Sequence, residues 1–296
     1  MIRSFHHSDF PAERLRERKR AAVTVVLPTR EVADTIGPIV DALTGLGDLI
    51  DQILVIDAGS SDGTPEIAAG LGAEVHQEAE LLPEFGRPSG KGDAMWRALA
   101  VARGEIVAYL DSDSREFSEH FARGLLGPLV CHDELCFVKG GFERPFTGPD
   151  GRLSPGGGGR VTELTARPLL SAFYPELAGF AQPLAGEVAA RRELLDRLPF
   201  ATGYAVETAM LLHARDALGG TEGMAQVDLD VRLNYHQPLQ QLGPMAYSVL
   251  RVILERLRRE GRLLDAGAPP FQAADGRLIQ VDLIERPPYA SIRARA

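Results

Sequence analysis

Short apolar runs alternate with segments of helical spacing through the first third of the chain. The β-branched run at 23–27 ends at Pro28, and apolar residues then recur at helical spacing over 34–46, with Asp34 as the predicted helix cap. The predicted strands are 23–27, 53–56, 73–76 and 105–110, and the predicted helices are 34–46, 65–70 and 91–102. Strands that alternate with helices form right-handed βαβ units, so the pattern predicts a mostly parallel sheet.

The second half of the chain follows a looser pattern. Residues 136–139 predict another strand, and the glycine run 156–159 predicts a loop that leads into a helix over 161–172. We therefore expect an α/β fold of Rossmann-like type with a C-terminal α+β elaboration. Its expected parts are a flexible N-terminal extension at 1–20, one catalytic domain at 21–255 and a C-terminal tail at 256–296.

Composition narrows the classes of function. The chain has 296 residues, of which 45% are hydrophobic, and a formal charge of −9, which argues against a nucleic-acid-binding protein held by phosphate contacts. No apolar run reaches membrane-spanning length and no signal-peptide pattern is present, so we expect no membrane partner and a cytoplasmic location. Cys131 and Cys136 are too few for a disulfide framework or a zinc site and are expected to be reduced thiols.

Two carboxylates end the strand predicted at 105–110. Asp111 and Asp113 have a spacing that places both on one face of a strand, at the edge where open α/β sheets bind ligands. Hard oxygen donors at this position suit Mg²⁺ or Mn²⁺ together with a substrate diphosphate. The alternative is a solvated turn between strand and loop.

Lys91 and Asp57 are candidates for nucleotide binding, each with a simpler alternative. Lys91 lies between glycines at a predicted helix start, which suits the binding of a diphosphate. The alternative is a lysine at a helix start that is simply solvated. The spacing differs from that of a Walker motif. Asp57 follows the second predicted strand, where it could accept hydrogen bonds from a base or ribose, or could cap the turn around Gly59 and Gly63.

Three candidates lie in the second half. Arg160 and Thr162 follow a glycine run at a helix start and could bind a second anion. Tyr204 and Glu207 are neighbours on a predicted helix face, where the carboxylate could hold sugar hydroxyls or simply cap the helix. His236 could complete a metal site or play a structural part.

Taken together, these motifs resemble a known family. Pro28, the segment Asp57-Ala-Gly-Ser-Ser-Asp-Gly-Thr64, Gly90-Lys-Gly-Asp93 and Asp111-Ser-Asp113 resemble the GT-A fold of family 2-like nucleotide-sugar glycosyltransferases. Residues 158–170, 182–187 and 203–207 resemble the retaining glucosyl-3-phosphoglycerate and mannosyl-3-phosphoglycerate synthases of glycosyltransferase family 81. The resemblance covers residues 22–250.

The resemblance implies a role for each motif. The implied nucleotide-binding residues are Pro28, Thr29, Arg30, Glu31, Val32, Asp57, Ala58, Lys91, Asp111 and Ser112, and those lining the donor sugar are Tyr204, Ala205, Val206 and Glu207. The implied acceptor-binding residues are Gly159, Arg160, Val161, Thr162 and Asn234. Asp113 would bind Mg²⁺ or Mn²⁺, and the backbone of Leu184 would lie near the reacting carbon.

The chain departs from the family pattern at four positions. Val32 stands where the glucosyl branch commonly has an acidic residue, and Ala58 stands where it has a serine. In the metal motif, Asn234 takes the place of the family's histidine and His236 that of its asparagine. Either His236 ligates the metal from a shifted backbone, which we favour, or Asn234 does so through its amide oxygen.

The resemblance thus implies an enzyme that transfers a hexose from a nucleotide sugar to D-3-phosphoglycerate. We expect catalysis to be mainly electrostatic, with the metal and Lys91 stabilising the departing diphosphate. The departures at the nucleotide loop favour GDP-mannose over UDP-glucose or GDP-glucose, and a homodimer is expected. The alternatives are a GT-A enzyme with another acceptor, such as a polyprenyl phosphate, and a non-catalytic nucleotide-sugar-binding module.

Overall fold

An eight-stranded sheet with helices on both faces forms the centre of the molecule. This computed structural model describes residues 2–147, 153–154, 158–233, 238–263, 271–272, 278–280 and 282–293. The sheet strands are β1 (Arg3–His6), β2 (Val23–Thr29), β3 (Gln52–Asp57), β4 (Glu74–Gln77), β5 (Ile106–Tyr109), β6 (Phe137–Glu143), β9 (Val188–Arg191) and β11 (Met224–Val231). Shorter strands are β7 (Phe146–Thr147), β8 (Leu153–Ser154), β10 (Phe200–Ala201), β12 (Phe271–Gln272), β13 (Leu278–Ile279) and β14 (Glu285–Arg286).

The helices connect these strands. They are α1 (Ala12–Arg18), α2 (Ala33–Thr44), α3 (Thr64–Gly70), α4 (Lys91–Ala98), α5 (His120–Cys131), α6 (Arg167–Phe173), α7 (Arg192–Leu195), α8 (Val206–Ala217), α9 (Gly243–Arg259) and α10 (Tyr289–Arg293). A π-helical turn, Thr162–Ala166, leads into α6. Within the described ranges, no helix combines the length and the apolar character that a bilayer crossing requires.

The strand order in the sheet is β1-β11-β6-β9-β5-β2-β3-β4. Neighbouring strands are parallel except at β9, which is antiparallel to both β5 and β6. The central parallel strands β2, β3 and β5 are covered on both faces, and this explains their continuous apolar runs. The predicted α/β, mostly parallel sheet is therefore confirmed.

Alternate residues of each central strand supply two separate cores. Val26 and Val107 pack toward α4, α8 and α9, whereas Val25 and Ala108 pack on the opposite face toward α2 and α5. All four side chains are fully buried. The period of two in a strand therefore anchors helices on both sides and leaves the carboxyl ends of the strands for the site.

Most local boundaries differ from the prediction by a few residues, and three differences are instructive. Strand β2 continues through Pro28 to Thr29, because Pro28 still pairs with Ile56 of β3. Helix α4 ends at Ala98 instead of residue 102. Asp34 does not cap α2: the N-cap is Val32, and the Ala33 amide donates to Asp62 Oδ2 at 2.9 Å, so the neighbouring loop caps this helix.

The expectation of a flexible extension at 1–20 is wrong for the described residues. Strand β1 pairs in parallel with β11, with Phe5 opposite Val227, at one edge of the sheet. Phe10 and Leu15 are each only 1% exposed and join the core beside α5. The burial of these two side chains offsets the entropy of ordering the segment.

The C-terminal residues also pack against the sheet layers. Strand β14 pairs with β10, and Arg286 forms a two-pronged ion pair with Asp93 of α4 at 2.7 and 2.8 Å. The indole of Trp96 donates to the Pro287 carbonyl at 2.9 Å. Helix α9 crosses the expected boundary at 255/256, and the division into three parts otherwise stays a prediction.

Candidate active site

A cleft of about 760 Å³ opens where the parallel strands β2, β3 and β5 end. Most predicted site residues line it: Pro28, Thr29, Arg30, Val32, Ala58, Lys91, Asp111, Ser112, Asp113, Gly159, Arg160, Val161, Thr162, Leu184, Tyr204 and Glu207. The fold thus brings together segments from both halves of the chain. The lining does not include Glu31, Asp57, Ala205 or Val206, and Asn234 and His236 fall outside the described residues.

Asp57 organises the loop that follows β3. Its carboxylate is fully buried and accepts hydrogen bonds from the Gly59 and Ser60 amides at 3.0 and 2.8 Å and from the Thr29 hydroxyl at 3.1 Å. The Ser60 hydroxyl and the Gln77 side-chain amide also donate to it, at 2.6 and 3.2 Å. Because both carboxylate oxygens are engaged, the turn-capping alternative describes this side chain as the structure places it.

The loop after β2 is tied to the same turn. Glu31 has a positive φ of 51°, and its carboxylate accepts from the Ser61 amide at 3.0 Å. The Val32 amide donates to Thr64 Oγ1 at 2.9 Å. On the opposite side, the Ser112 hydroxyl donates to the Pro28 carbonyl at 2.7 Å. This side of the cleft is therefore held together by hydrogen bonds within the chain.

Lys91 lies between two carboxylates at the start of α4. Its ammonium donates to Asp111 and, at 3.1 Å, to Glu207 Oε1. Burial alone would lower the pKa of Lys91, but the negative charges of Asp111 and Glu207 outweigh it and raise the pKa above its ordinary value. Lys91 is therefore a fixed positive charge that faces the cleft.

Arg232 is the residue that sequence reasoning missed at the centre of this network. Its guanidinium is fully buried, contacts Glu187, and donates to Asp111 Oδ2 at 3.0 Å and to Asp113 Oδ1 at 3.1 Å. Burial alone would raise the pKa of Asp111, but Lys91 and Arg232 outweigh it and hold that pKa well below its usual range. Arg232 lies two residues before Asn234 of the metal motif described above, and this position was the available signal in the sequence.

The segment before β9 passes directly behind this network. A Cβ built on Gly186 would overlap both the Asp111 carboxylate and the Lys91 ammonium. The buried ammonium of Lys139, on β6, donates to the Ala185 carbonyl at 2.6 Å, and burial lowers its pKa to about 8. Leu184 borders the cleft at this point, so its backbone is positioned by neighbours on both sides.

Two further arginines that line the cleft stack on aromatic rings. The Arg160 guanidinium lies 5.2 Å from the ring centroid of Phe146, and that of Arg144 lies 4.9 Å from Phe142. Arg144 was not predicted from the sequence, yet it lines the cleft and its carbonyl accepts from the Gly158 amide at 2.9 Å. The π-helical turn begins two residues after Arg160, and such turns often occur at functional sites.

Glu78 is a third lining residue that the sequence did not indicate, after Arg232 and Arg144. It is 2% exposed, and its Oε1 has no hydrogen-bond partner among the described residues. Burial, reinforced by the nearby Asp93 carboxylate, raises the pKa of Glu78 to about 7. The donor end of the cleft therefore contains a carboxyl group whose charge changes near neutral pH.

Asp113 is the described residue best suited to hold a divalent ion in the cleft. Its carboxylate is 64% exposed, and Arg232 occupies only Oδ1. Carboxylate oxygens are the donors that Mg²⁺ and Mn²⁺ prefer, so the chemistry of Asp113 fits the expected ion. The other expected ligand, His236 or Asn234, lies outside the described residues.

Fold and site together define the class of protein. A lysine–carboxylate network at the strand ends faces a basic helix start across one cleft, as expected for a nucleotide-sugar transferase of GT-A fold. The model of glycosyl transferase family 2 matches residues 24–133. The glucosyl-3-phosphoglycerate synthase of Petrotoga mobilis is 42% identical over 269 residues, which are 88% of this chain and 82% of that protein.

Solved structures extend the match to almost the whole chain. The mannosyl-3-phosphoglycerate synthase from Rubrobacter xylanophilus is 46% identical, with a TM-score of 0.88 over 98% of this chain and 97% of that one. The glucosyl-3-phosphoglycerate synthase from Mycobacterium tuberculosis, in complex with Mn²⁺, UDP-glucose and phosphoglyceric acid, is 37% identical, with a TM-score of 0.87 over 99% of each chain. The chain belongs to this family of glucosyl- and mannosyl-3-phosphoglycerate synthases.

Proposed function

We propose that this protein transfers a hexose from a nucleotide sugar to D-3-phosphoglycerate, with Mg²⁺ or Mn²⁺ as the cofactor and with retention of anomeric configuration. The observation that carries the proposal is that one cleft contains both Lys91, held by Asp111 and Glu207, and Arg160 near the start of the turn into α6. The first group suits a departing diphosphate and the second suits an anionic acceptor. The two substrates would meet beside Leu184.

On the donor side, Lys91 binds the diphosphate. Its raised pKa keeps the ammonium charged throughout the physiological range, and Asp111 and Glu207 fix its position. The divalent ion, when bound at Asp113, supplies positive charge that stabilises the nucleoside diphosphate as it leaves. Arg232 orients Asp113 through the Oδ1 contact at 3.1 Å. Charge that is fixed in place before the reaction stabilises a transition state without reorganisation.

On the acceptor side, the arginines bind the phosphate and carboxylate of 3-phosphoglycerate. Thr162 begins the turn into α6 and Arg160 lies two residues before it. The backbone of Gly159 and Val161, on either side of Arg160, lines the same cleft. Arg144 lines the same part of the cleft and adds a second guanidinium. A guanidinium binds phosphate or carboxylate oxygens in a two-pronged geometry, which holds the acceptor hydroxyl in a fixed direction.

The donor sugar lies between these walls, bordered by residues 204–207 and Leu184. The nearby carboxylates of Asp111 and Glu187 are both bound to Arg232, and Glu207 is bound to Lys91. A carboxylate engaged in this way is a poor nucleophile, which supports attack by the acceptor hydroxyl from the face that the diphosphate leaves. Retention then requires no covalent enzyme intermediate.

The proposed donor is GDP-mannose, with UDP-glucose and GDP-glucose as the competing donors. Val32 and Ala58 line the nucleotide end of the cleft and present no polar side chain there. A pocket that lacks a hydrogen-bonding partner for one base discriminates less strongly for that base. This supports a donor preference different from that of the glucosyl branch.

Release of nucleoside diphosphate from four donors tests the proposal. UDP-glucose, GDP-glucose, GDP-mannose and ADP-glucose are compared with and without D-3-phosphoglycerate, and with Mg²⁺, Mn²⁺ or a chelator. We expect release only when metal and acceptor are both present, fastest with GDP-mannose, and an α-linked product by NMR. Equal release without 3-phosphoglycerate would contradict the acceptor, and undiminished release in chelator would contradict the cofactor.

We also propose that the protein acts as a homodimer in the cytoplasm, without a membrane or nucleic-acid partner. Its two cysteines are free thiols, which is typical of a reducing compartment, and its net charge is −9. Sedimentation velocity at micromolar concentration tests the dimer, which a monomer mass would contradict. Fractionation of cells that express the protein tests the location.

A further inference from the structure

Two histidines and an aspartate converge on the surface outside the cleft. His6 Nε2 lies 3.0 Å from Asp230 Oδ1, and His7 Nε2 lies 2.6 Å from Asp230 Oδ2. One potential ligand atom from each residue falls within 4.8 Å of the other two. The proposed transfer reaction uses none of these side chains, so the cluster calls for another explanation.

The local backbone explains why adjacent histidines face the same carboxylate. Successive side chains of a strand point to opposite faces, but β1 ends at His6 and a 3₁₀ turn begins at His7. The two rings therefore lie side by side, with centroids 4.4 Å apart. Asp230 has a left-handed backbone with φ of 62°, at an irregularity in the register of β11, and this turns its carboxylate toward them.

Two imidazoles and one carboxylate are the ligand set of a zinc-type ion. Zinc binds imidazole nitrogen and carboxylate oxygen at about 2.0–2.2 Å, so tetrahedral ligand atoms lie about 3.3 Å apart. The 3.0 Å between His6 Nε2 and Asp230 Oδ1 is within a few tenths of an ångström of that value, and the 2.6 Å between His7 Nε2 and Asp230 Oδ2 would have to lengthen by about 0.7 Å. His6 Nδ1 accepts from the Ser8 backbone amide at 3.3 Å and lies 2.7 Å from Ser8 Oγ, so a metal at Nε2 would require Nδ1 to carry a proton and donate it to Ser8 Oγ instead.

The surroundings leave room for such an ion. His6 and Asp230 are 42% and 54% exposed, which gives access to a water as the fourth ligand. His120 stacks on His7 with ring centroids 4.5 Å apart, but its Nε2 lies 3.1 Å from the Leu229 carbonyl and is engaged there. His120 therefore packs beneath the cluster instead of contributing a ligand.

We propose that His6, His7 and Asp230 bind one divalent transition-metal ion of the zinc class, which ties β1 to β11. The ion would replace the two imidazole protons that now face the carboxylate. Asp230 lies two residues before Arg232, whose guanidinium holds three acidic side chains of the cleft. A metal at this position would therefore fix the strand end that presents Arg232. The proposal does not depend on which sugar or acceptor the cleft binds.

Cobalt(II) titration of untagged, chelator-treated protein tests the site. Tetrahedral Co²⁺ gives visible ligand-field absorption, and we expect saturation at one equivalent, with Zn²⁺ displacing it. His6→Gln and Asp230→Asn should each weaken binding by about 10-fold or more, because each removes one of three protein ligands. Asparagine tolerates the left-handed backbone, so Asp230→Asn preserves the fold at that position.

Two control variants separate this site from others. Asp113→Ala removes the carboxylate expected to bind metal in the cleft and should leave the cobalt spectrum unchanged. His76→Ala removes a histidine that also pairs with a carboxylate, Glu74 at 2.9 Å, and should leave it unchanged too. Zn²⁺ should raise the melting temperature of these two variants but not that of Asp230→Asn. Absence of the band, or equal affinity in His6→Gln and wild type, would overturn the proposal.

Discussion

The two walls of the cleft hold their positive charges in different ways. On the donor side, Lys91 and Arg232 are each bound by two or more carboxylates. On the proposed acceptor side, Arg144 and Arg160 lie against the rings of Phe142 and Phe146, and Phe142 also contacts Arg232, where the two sides meet. An aromatic face supports a guanidinium without taking its in-plane hydrogen-bond donors.

This difference corresponds to two tasks. Carboxylates around a cation fix its position and lower the net charge of the cluster. A cation held in this way suits a position where charge develops during the reaction. A guanidinium that stacks on a ring is supported by a neutral group, which suits a site for an anion that arrives from solution. Changes on the donor wall should therefore act on turnover, and changes on the acceptor wall should act on acceptor affinity.

Asp113→Ala should have the largest effect. Loss of the carboxylate that is expected to bind the metal should lower kcat on the order of 10³-fold, because one electrostatic group at the leaving diphosphate is removed. Steady-state kinetics with Mn²⁺ and circular dichroism measure activity and fold. Asp133→Ala, at a fully exposed aspartate, is the matched control. Turnover close to wild type would refute the role of Asp113.

Gly186→Ala should come next. The new methyl group would occupy the space of the Asp111 carboxylate and the Lys91 ammonium, so both must shift. A displacement of this kind should lower kcat by about 10²-fold. Gly179→Ala is the control, since its Cβ would meet Ile2 at an ordinary 3.6 Å. If both alanine variants kept full activity, the close approach behind the donor wall would have no catalytic consequence.

Arg160→Ala distinguishes the two walls most directly. Loss of charge-assisted hydrogen bonds to the acceptor should raise the KM for 3-phosphoglycerate by about 10- to 100-fold and leave the KM for the nucleotide sugar within about twofold. Initial rates over a grid of both substrates measure this, with the surface variant Arg258→Ala as control. An equal rise in the two KM values would remove the proposed division between the walls.

Glu78→Gln should have the smallest effect, and one that depends on pH. The folded-state pKa of Glu78 is about 7, above its ordinary value of 4.5, so the stability that its protonated form contributes is lost as pH rises between these values. The glutamine variant should therefore melt a few degrees higher than wild type at pH 8 but not at pH 4.5.

Thermal unfolding at pH 4.5, 6 and 8 measures this effect. The control is Glu80→Gln, at an exposed position in the same 3₁₀ turn, which should show no such pH dependence. A constant difference across pH in Glu78→Gln would show that burial does not raise the pKa of this carboxyl.

The elements of the first half could be predicted because their signals are local. Strands expected at 53–56 and 105–110 occur at Gln52–Asp57 and Ile106–Tyr109, since a strand buried on both faces is apolar throughout. The ordered structure of residues 1–20 was not predicted because β1 pairs with β11, with Arg3 opposite Ala225. Nothing within its own window indicates that partner.

The candidate site shows the same limit. Motifs such as Gly90-Lys-Gly-Asp93 indicate a lysine at a helix start, and the structure places it in the cleft. Arg232, by contrast, meets Asp111 across 121 positions of sequence, and Lys139 meets Ala185 across 46. Their roles follow from the order of strands in the sheet, which no short motif encodes.

That order has a consequence for how the enzyme can change. Strand β9 is antiparallel to its neighbours β5 and β6. The residues that lie beside the carboxyl ends of β5 and β6 are therefore those that precede β9, 184–187, and not those that follow it. Substitutions at Gln182 and Leu184 could thus alter what reaches the sugar while every strand keeps its pairing. Insertions further upstream would disturb the buried side chains of Tyr174, Leu177 and Phe180, so new hexose specificities would evolve by substitution in this segment.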